Sequence, residues 1–135
     1  MRCLLPVLIL LAGCSAKPDD VGPPSGSFSG GGRDRLCIAH IEGGVRAGII
    51  TYGAGDSNCS VAGTLARAEA GWQLTPQGEG ACKIALSING DAVGVTSVPA
   101  SCAYYCAPGA TLTGKTFKRD AKPGIVSDFG GEPLC

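Results

Sequence analysis

Cys82-Lys83-Ile84-Ala85-Leu86-Ser87-Ile88-Asn89-Gly90 is the stretch that decides the fold. Large apolar residues alternate with small or polar ones, which places Cys82, Ile84, Leu86 and Ile88 on one face of an extended strand. Asn89-Gly90 follows. Both residues tolerate positive φ, so the pair predicts a type I′ turn into a returning strand over residues 92–98.

Working outward from this hairpin, the rest of the chain after Arg35 reads the same way. Residues 36–41 precede Glu42-Gly43-Gly44, residues 45–52 precede Gly53-Ala54-Gly55-Asp56, and residues 59–67 carry Gly63 inside and end at Glu69-Ala70-Gly71. Such gaps are of hairpin length. Trp72-Gln73-Leu74-Thr75 is then broken by Pro76-Gln77-Gly78-Glu79-Gly80. No segment sustains a 3.6-residue apolar repeat, although a single helical turn fits residues 101–106. The expected fold is all-β: a small antiparallel meander of seven or eight strands forming a barrel or sandwich, with residues 120–134 as a closing loop.

Composition agrees. Glycine supplies 22 of 135 residues, well above the usual frequency of about 7%, while charged residues are 16% and aromatics 5%. Eleven Lys and Arg balance eleven Asp and Glu. With no basic stripe to neutralise phosphates, nucleic acid is not an expected partner. Eight Cys in so short a chain argue for an oxidising compartment, where disulfides support a core too small to suffice alone.

The N-terminal part has a different character. Met1-Arg2 supplies a positive charge, and residues 4–11 form an apolar run interrupted only by Pro6. At about 10 residues the run is too short for a hydrocarbon core needing roughly 20, but it has the size of a signal-peptide h-region. It ends in Leu11-Ala12-Gly13-Cys14-Ser15, which resembles the lipobox of bacterial lipoproteins. The resemblance implies cleavage before Cys14 and lipidation of its thiol, with palmitate-type acyl chains anchoring the protein without spanning the membrane. Ser15 after the Cys implies delivery to the outer membrane. The alternative reading is an ordinary secretory signal with an incidental Cys. Residues 1–13 are therefore expected to be a signal peptide, residues 14–35 the lipidated Cys and a Gly/Ser/Pro-rich tether, and residues 36–135 the β domain.

Six cysteines remain in the β domain: Cys37, Cys59, Cys82, Cys102, Cys106 and Cys135. They allow fifteen pairings. Cys37 with Cys135 is favoured because it brackets the folded region and closes the longest loop. Cys59 with Cys82, and Cys102 with Cys106, complete that scheme. Cys102-Ala-Tyr-Tyr-Cys106 has three intervening residues instead of the two of thioredoxin-like sites. Paired metal-ligand spacings are missing, so neither a metal site nor another cofactor is expected.

Candidate contact residues are Trp72, Tyr104 and Tyr105, since an aromatic exposed on a disulfide-fixed loop is a good binding anchor. Their bland alternative is that they cover the ends of the core. His40 is the single histidine, without a nucleophile motif to serve, and Asp56, Asp91, Asp120 and Asp128 read as turn formers. Lys115, Lys118, Arg119 and Lys122 read as a solvated basic face. The expectation is accordingly a non-enzyme.

Cys102-Ala-Tyr-Tyr-Cys106-Ala-Pro-Gly109 running to Gly114-Lys-Thr-Phe117-Lys-Arg119 is similar to a terminal motif of small exported bacterial proteins. Together with Gly63-Thr64-Leu65, it looks like the disulfide-bonded β-barrel proteins that include periplasmic and membrane-bound lysozyme inhibitors. The resemblance implies a binding role, with an envelope protein or a lysozyme as partner, and carries no inhibitory residue over. Two other readings stand beside it: a structural or accessory envelope lipoprotein, and a thiol- or His-assisted hydrolase.

Overall fold

In the computed structural model, which describes residue 13, residues 22–78 and residues 80–135, the alternating pattern becomes eight strands. These are β1 (Gly26–Ser29), β2 (Arg35–Ile41), β3 (Gly44–Tyr52), β4 (Asn58–Ala68), β5 (Gly71–Pro76), β6 (Ile84–Asn89), β7 (Ala92–Ser97) and β8 (Thr116–Arg119), with a 3₁₀ helix over Ala100–Tyr105. Each strand pairs antiparallel with the next, and β8 pairs back onto β1, so the meander is a closed barrel. Closure leaves no strand edge open to another chain.

The faces separate as period-2 patterning requires. Phe28, Leu36, Ile38, Ile49, Val61, Leu65, Leu74, Ile84, Leu86, Val93 and Phe117 point inward and are buried. An eight-stranded barrel is just wide enough for such side chains to fill it, so the interior is a packed core with no lumen. Apolar residues inside and polar residues such as Ser60, Thr64 and Gln73 between them reverse the polarity of a membrane-spanning barrel. A second, smaller cluster lies outside the sheet. Val126 and Leu134 of the C-terminal loop cover Cys37 and Ile50, and Cys37 is bonded to Cys135. Within β4, Gly63 meets the β5 backbone so closely that an added Cβ would lie 2.0 Å from the Thr75 carbonyl oxygen.

The stretch up to residue 35 is not wholly tether: β1 falls inside it, between β2 and β8. Composition argued against order there, yet Phe28 is fully buried and the short strand finds hydrogen-bonding partners along both edges. The β6–β7 turn is centred on Gly90-Asp91, because Asn89 pairs with Ala92. Only Gly90 has positive φ, at 60°, which is the pattern of a type II′ turn.

Two of the disulfides also differ from the expected scheme. Cys59 is bonded to Cys106 and Cys82 to Cys102. In the sheet β5 lies between β4, which carries Cys59, and β6, which follows Cys82. Two strand spacings are roughly 9–10 Å, beyond the Cα separation of about 7 Å that a disulfide tolerates. Cys102 lies within the 3₁₀ helix and Cys106 just after it, so one bonds to the segment before β6 and the other to β4. Cys37–Cys135 forms as loop length favoured.

Candidate functional site

An up-and-down barrel has two ends, and here they differ. At the turn end, strands are joined by two-residue turns at residues 42–43, 69–70 and 90–91, and the chain runs into β1 through residues 22–25. At the loop end the connections are longer, and residues 98–115 fold over the opening. Strand direction places Trp72, at the start of β5, at the turn end. Tyr104 and Tyr105 lie at the loop end, in the 3₁₀ helix between β7 and β8. The three aromatics singled out from sequence therefore belong to two separate surfaces.

The loop end is built for rigidity. Cys102 and Leu112 are buried and join the barrel core, so the covering segment is pinned from inside. Cys59–Cys106 and Cys82–Cys102 bind it to β4 and to the segment before β6. Ser101 Oγ donates to the Ala81 carbonyl at 3.0 Å, the Ala107 N–H to the Asn58 carbonyl at 2.9 Å, and Thr51 Oγ1 to the Thr111 carbonyl at 2.8 Å. On this clamped support Tyr105 is half-buried against the core, and its ring meets that of Tyr104 edge-on at 5.3 Å. Tyr104 itself is 89% exposed. One tyrosine covers the core and the other is presented to solvent.

At the turn end, an open groove of about 440 Å³ runs between Pro23, Pro24, Arg67, Trp72, Ile88 and Arg119. The Arg67 guanidinium lies 4.7 Å from the Trp72 ring centre, a cation–π contact that supports the indole on one face. Arg119 pairs with Asp91 at 3.7 Å and donates to the Ser25 carbonyl. His40 closes the same corner: its Nε2 lies 2.8 Å from the Pro23 carbonyl, which can only accept, so that nitrogen carries a hydrogen. The contact secures the incoming chain to the end of β2. Arg67 had no motif to mark it, and Arg119 was read only as part of a basic face; they line one groove with Trp72 because β4, β5, β6 and β8 end here.

A third polar centre ties the C-terminal loop down. The Asp120 carboxylate accepts from Ser27 Oγ at 2.8 Å, Ser29 Oγ at 2.5 Å and the Arg35 guanidinium at 2.9 Å. The two serine hydrogen bonds, with the Arg35 charge adding to them, hold its carboxyl below the usual value of 3.8. Asp120 is thus a staple from the end of β8 to the neighbouring β1 and β2, not the turn former expected. The basic residues near it do not make one face either, because Lys115 pairs with the buried Asp34 at 3.0 Å while Arg119 turns to Asp91. Among the described residues no three His, Cys, Asp or Glu side chains gather into a metal-sized cluster. Cys14 lies outside the described residues. Comparison with protein-family models, with curated proteins and with solved structures found no match.

Proposed function

We propose that this chain is an envelope lipoprotein, anchored in the bacterial outer membrane through Cys14, whose barrel binds a protein partner at its loop end in the manner of a lysozyme inhibitor. The observation that carries the reading is Tyr104, exposed on a helix held by two disulfides. An aromatic ring presented on a rigid support loses little conformational entropy on binding, which is what makes such residues anchors of interfaces. Its placement opposite to where the chain enters the barrel suits a partner approaching from the aqueous side.

The full chain carrying Cys14→Ala, purified as a soluble form, should reduce the activity of at least one lysozyme in a panel of types. Tyr104→Ala should weaken that inhibition by about tenfold or more, the loss of a hot-spot side chain. Because Tyr104 is exposed, the substitution should leave stability within about 0.5 kcal/mol. Unchanged activity across the panel would remove the inhibitor reading and leave the accessory lipoprotein in its place.

A further inference from the structure

Because β1 begins at Gly26, little chain lies between Cys14 and the barrel. Residues 22–25 already belong to the barrel's turn end, so eight peptide units separate Cys14 from Gly22. At no more than about 3.3–3.6 Å per residue, they reach at most about 29 Å, whatever conformation they take. If Cys14 is acylated, the turn end is the part of the barrel held nearest the bilayer. A tether of that length sets an effective concentration in the millimolar range, so even weak surface chemistry suffices for contact.

The turn end has the chemistry that such a surface needs. Trp72 lines its open groove between Arg67 and Arg119, and Ile41, at the end of β2, is 53% exposed. Tryptophan favours the headgroup level of a membrane, where its apolar ring and polar N–H are both accommodated, and Arg adds bidentate contact to phosphate. Among the described residues Arg67 has no carboxylate partner, and its guanidinium lies over the Trp72 ring. Glu42, Glu69 and Asp91 on the three turns offset the nearby cations, so insertion of the aromatic and apolar groups, more than a basic field, would supply the attachment.

We infer that the turn end seats on the phospholipid surface that holds the anchor, with Trp72 and Ile41 at headgroup depth and a lipid phosphate in the groove beside Arg67. The inference rests on lipidation of Cys14. It turns the barrel upright, with Tyr104 pointing away from the membrane.

Trp72 is the single tryptophan of the chain, so its fluorescence reports on this groove alone. In the acylated protein reconstituted in phosphatidylethanolamine/phosphatidylglycerol vesicles, brominated phospholipids should quench Trp72 and aqueous acrylamide should quench it several-fold less than in the soluble Cys14→Ala chain. The soluble chain should itself show a blue-shifted emission at millimolar vesicle lipid, and no shift with inorganic phosphate alone. The double substitution Ile41→Ser with Arg67→Gln should lower its vesicle partitioning by about tenfold, as expected for one lost apolar side chain and one phosphate contact. Equal acrylamide quenching of the acylated and soluble forms would overturn the inference. So would a shift produced by soluble peptidoglycan fragments and not by vesicles, which would make the groove a glycan site. The mass of the exported protein reports acylation separately, so a chain that is acylated but shows no protection defeats the seating while leaving the anchor intact.

Discussion

Asp120 shows how one side chain joins distant parts of this chain. Its carboxylate collects hydroxyls from β1 and a guanidinium from β2, and its own N–H donates to the Ser27 carbonyl at 2.9 Å. With the carboxyl held below 3.8 in the folded state, its contribution to stability is complete above that value and disappears as pH falls through the lower, folded one. Asp120→Asn should therefore cost about 1–2 kcal/mol near neutral pH, through weakened charge-assisted hydrogen bonds. Thermal unfolding followed from about pH 7 to about pH 2 should show the two proteins converging at the acid end. Parallel curves for both would mean that the carboxylate is not what holds the loop. Phe28, fully buried, offers the complementary test of the apolar side. Phe28→Ala should destabilise by about 3–5 kcal/mol, measured by denaturant unfolding, whereas a loss under about 1 kcal/mol would mean that β1 is peripheral.

At the scale of elements, the three disulfides act on different parts of the barrel. Two clamp the loop-end cover, and Cys37–Cys135 fastens the C-terminal loop over the outer face of β2 and β3. The last closes a sequence separation of 98 residues, for which the chain-entropy model gives about 4–5 kcal/mol. Replacing both its cysteines with serine should remove most of that, and should raise hydrogen exchange in residues 124–135 before the barrel strands exchange. Unaltered protection of that loop would show that Leu134 and Val126 hold it without the bond. Strands β2 to β7 and most turns were readable because alternation and Gly-rich gaps are local signals, whereas the four residues of β8 read only as part of a basic face. Pairing of Cys59 and Cys82 with their partners was not, since it depends on β5 lying between them, a property of strand order. The same limit concealed β1: a Gly-Ser-Phe-Ser segment looks like linker until two neighbouring strands supply its hydrogen bonds.

For the whole molecule, the closed barrel has a packed interior, which is why the proposed contacts lie at its ends. Trp72 and the two tyrosines were singled out from their aromatic type and, for the tyrosines, their place between two cysteines; only topology divides them between a groove where the chain enters and a covered face opposite. Arg67 carries no local pattern, and Arg119 was legible only as one of a basic cluster; their shared groove is visible only once the strand ends are placed. In the proposed reading, the polarity of the ends follows from acylation of Cys14, since a lipid there would hold the turn end nearest the membrane and leave the loop end to a partner. Intact mass of the exported full-length product, isolated from the outer membrane, tests this most directly. The product should start at Cys14 and be heavier than its amino acids by a diacylglycerol and further acyl groups, whereas Cys14→Ala should give a soluble, unmodified form. An unacylated chain, or one cleaved elsewhere and free in solution, would contradict lipidation at Cys14.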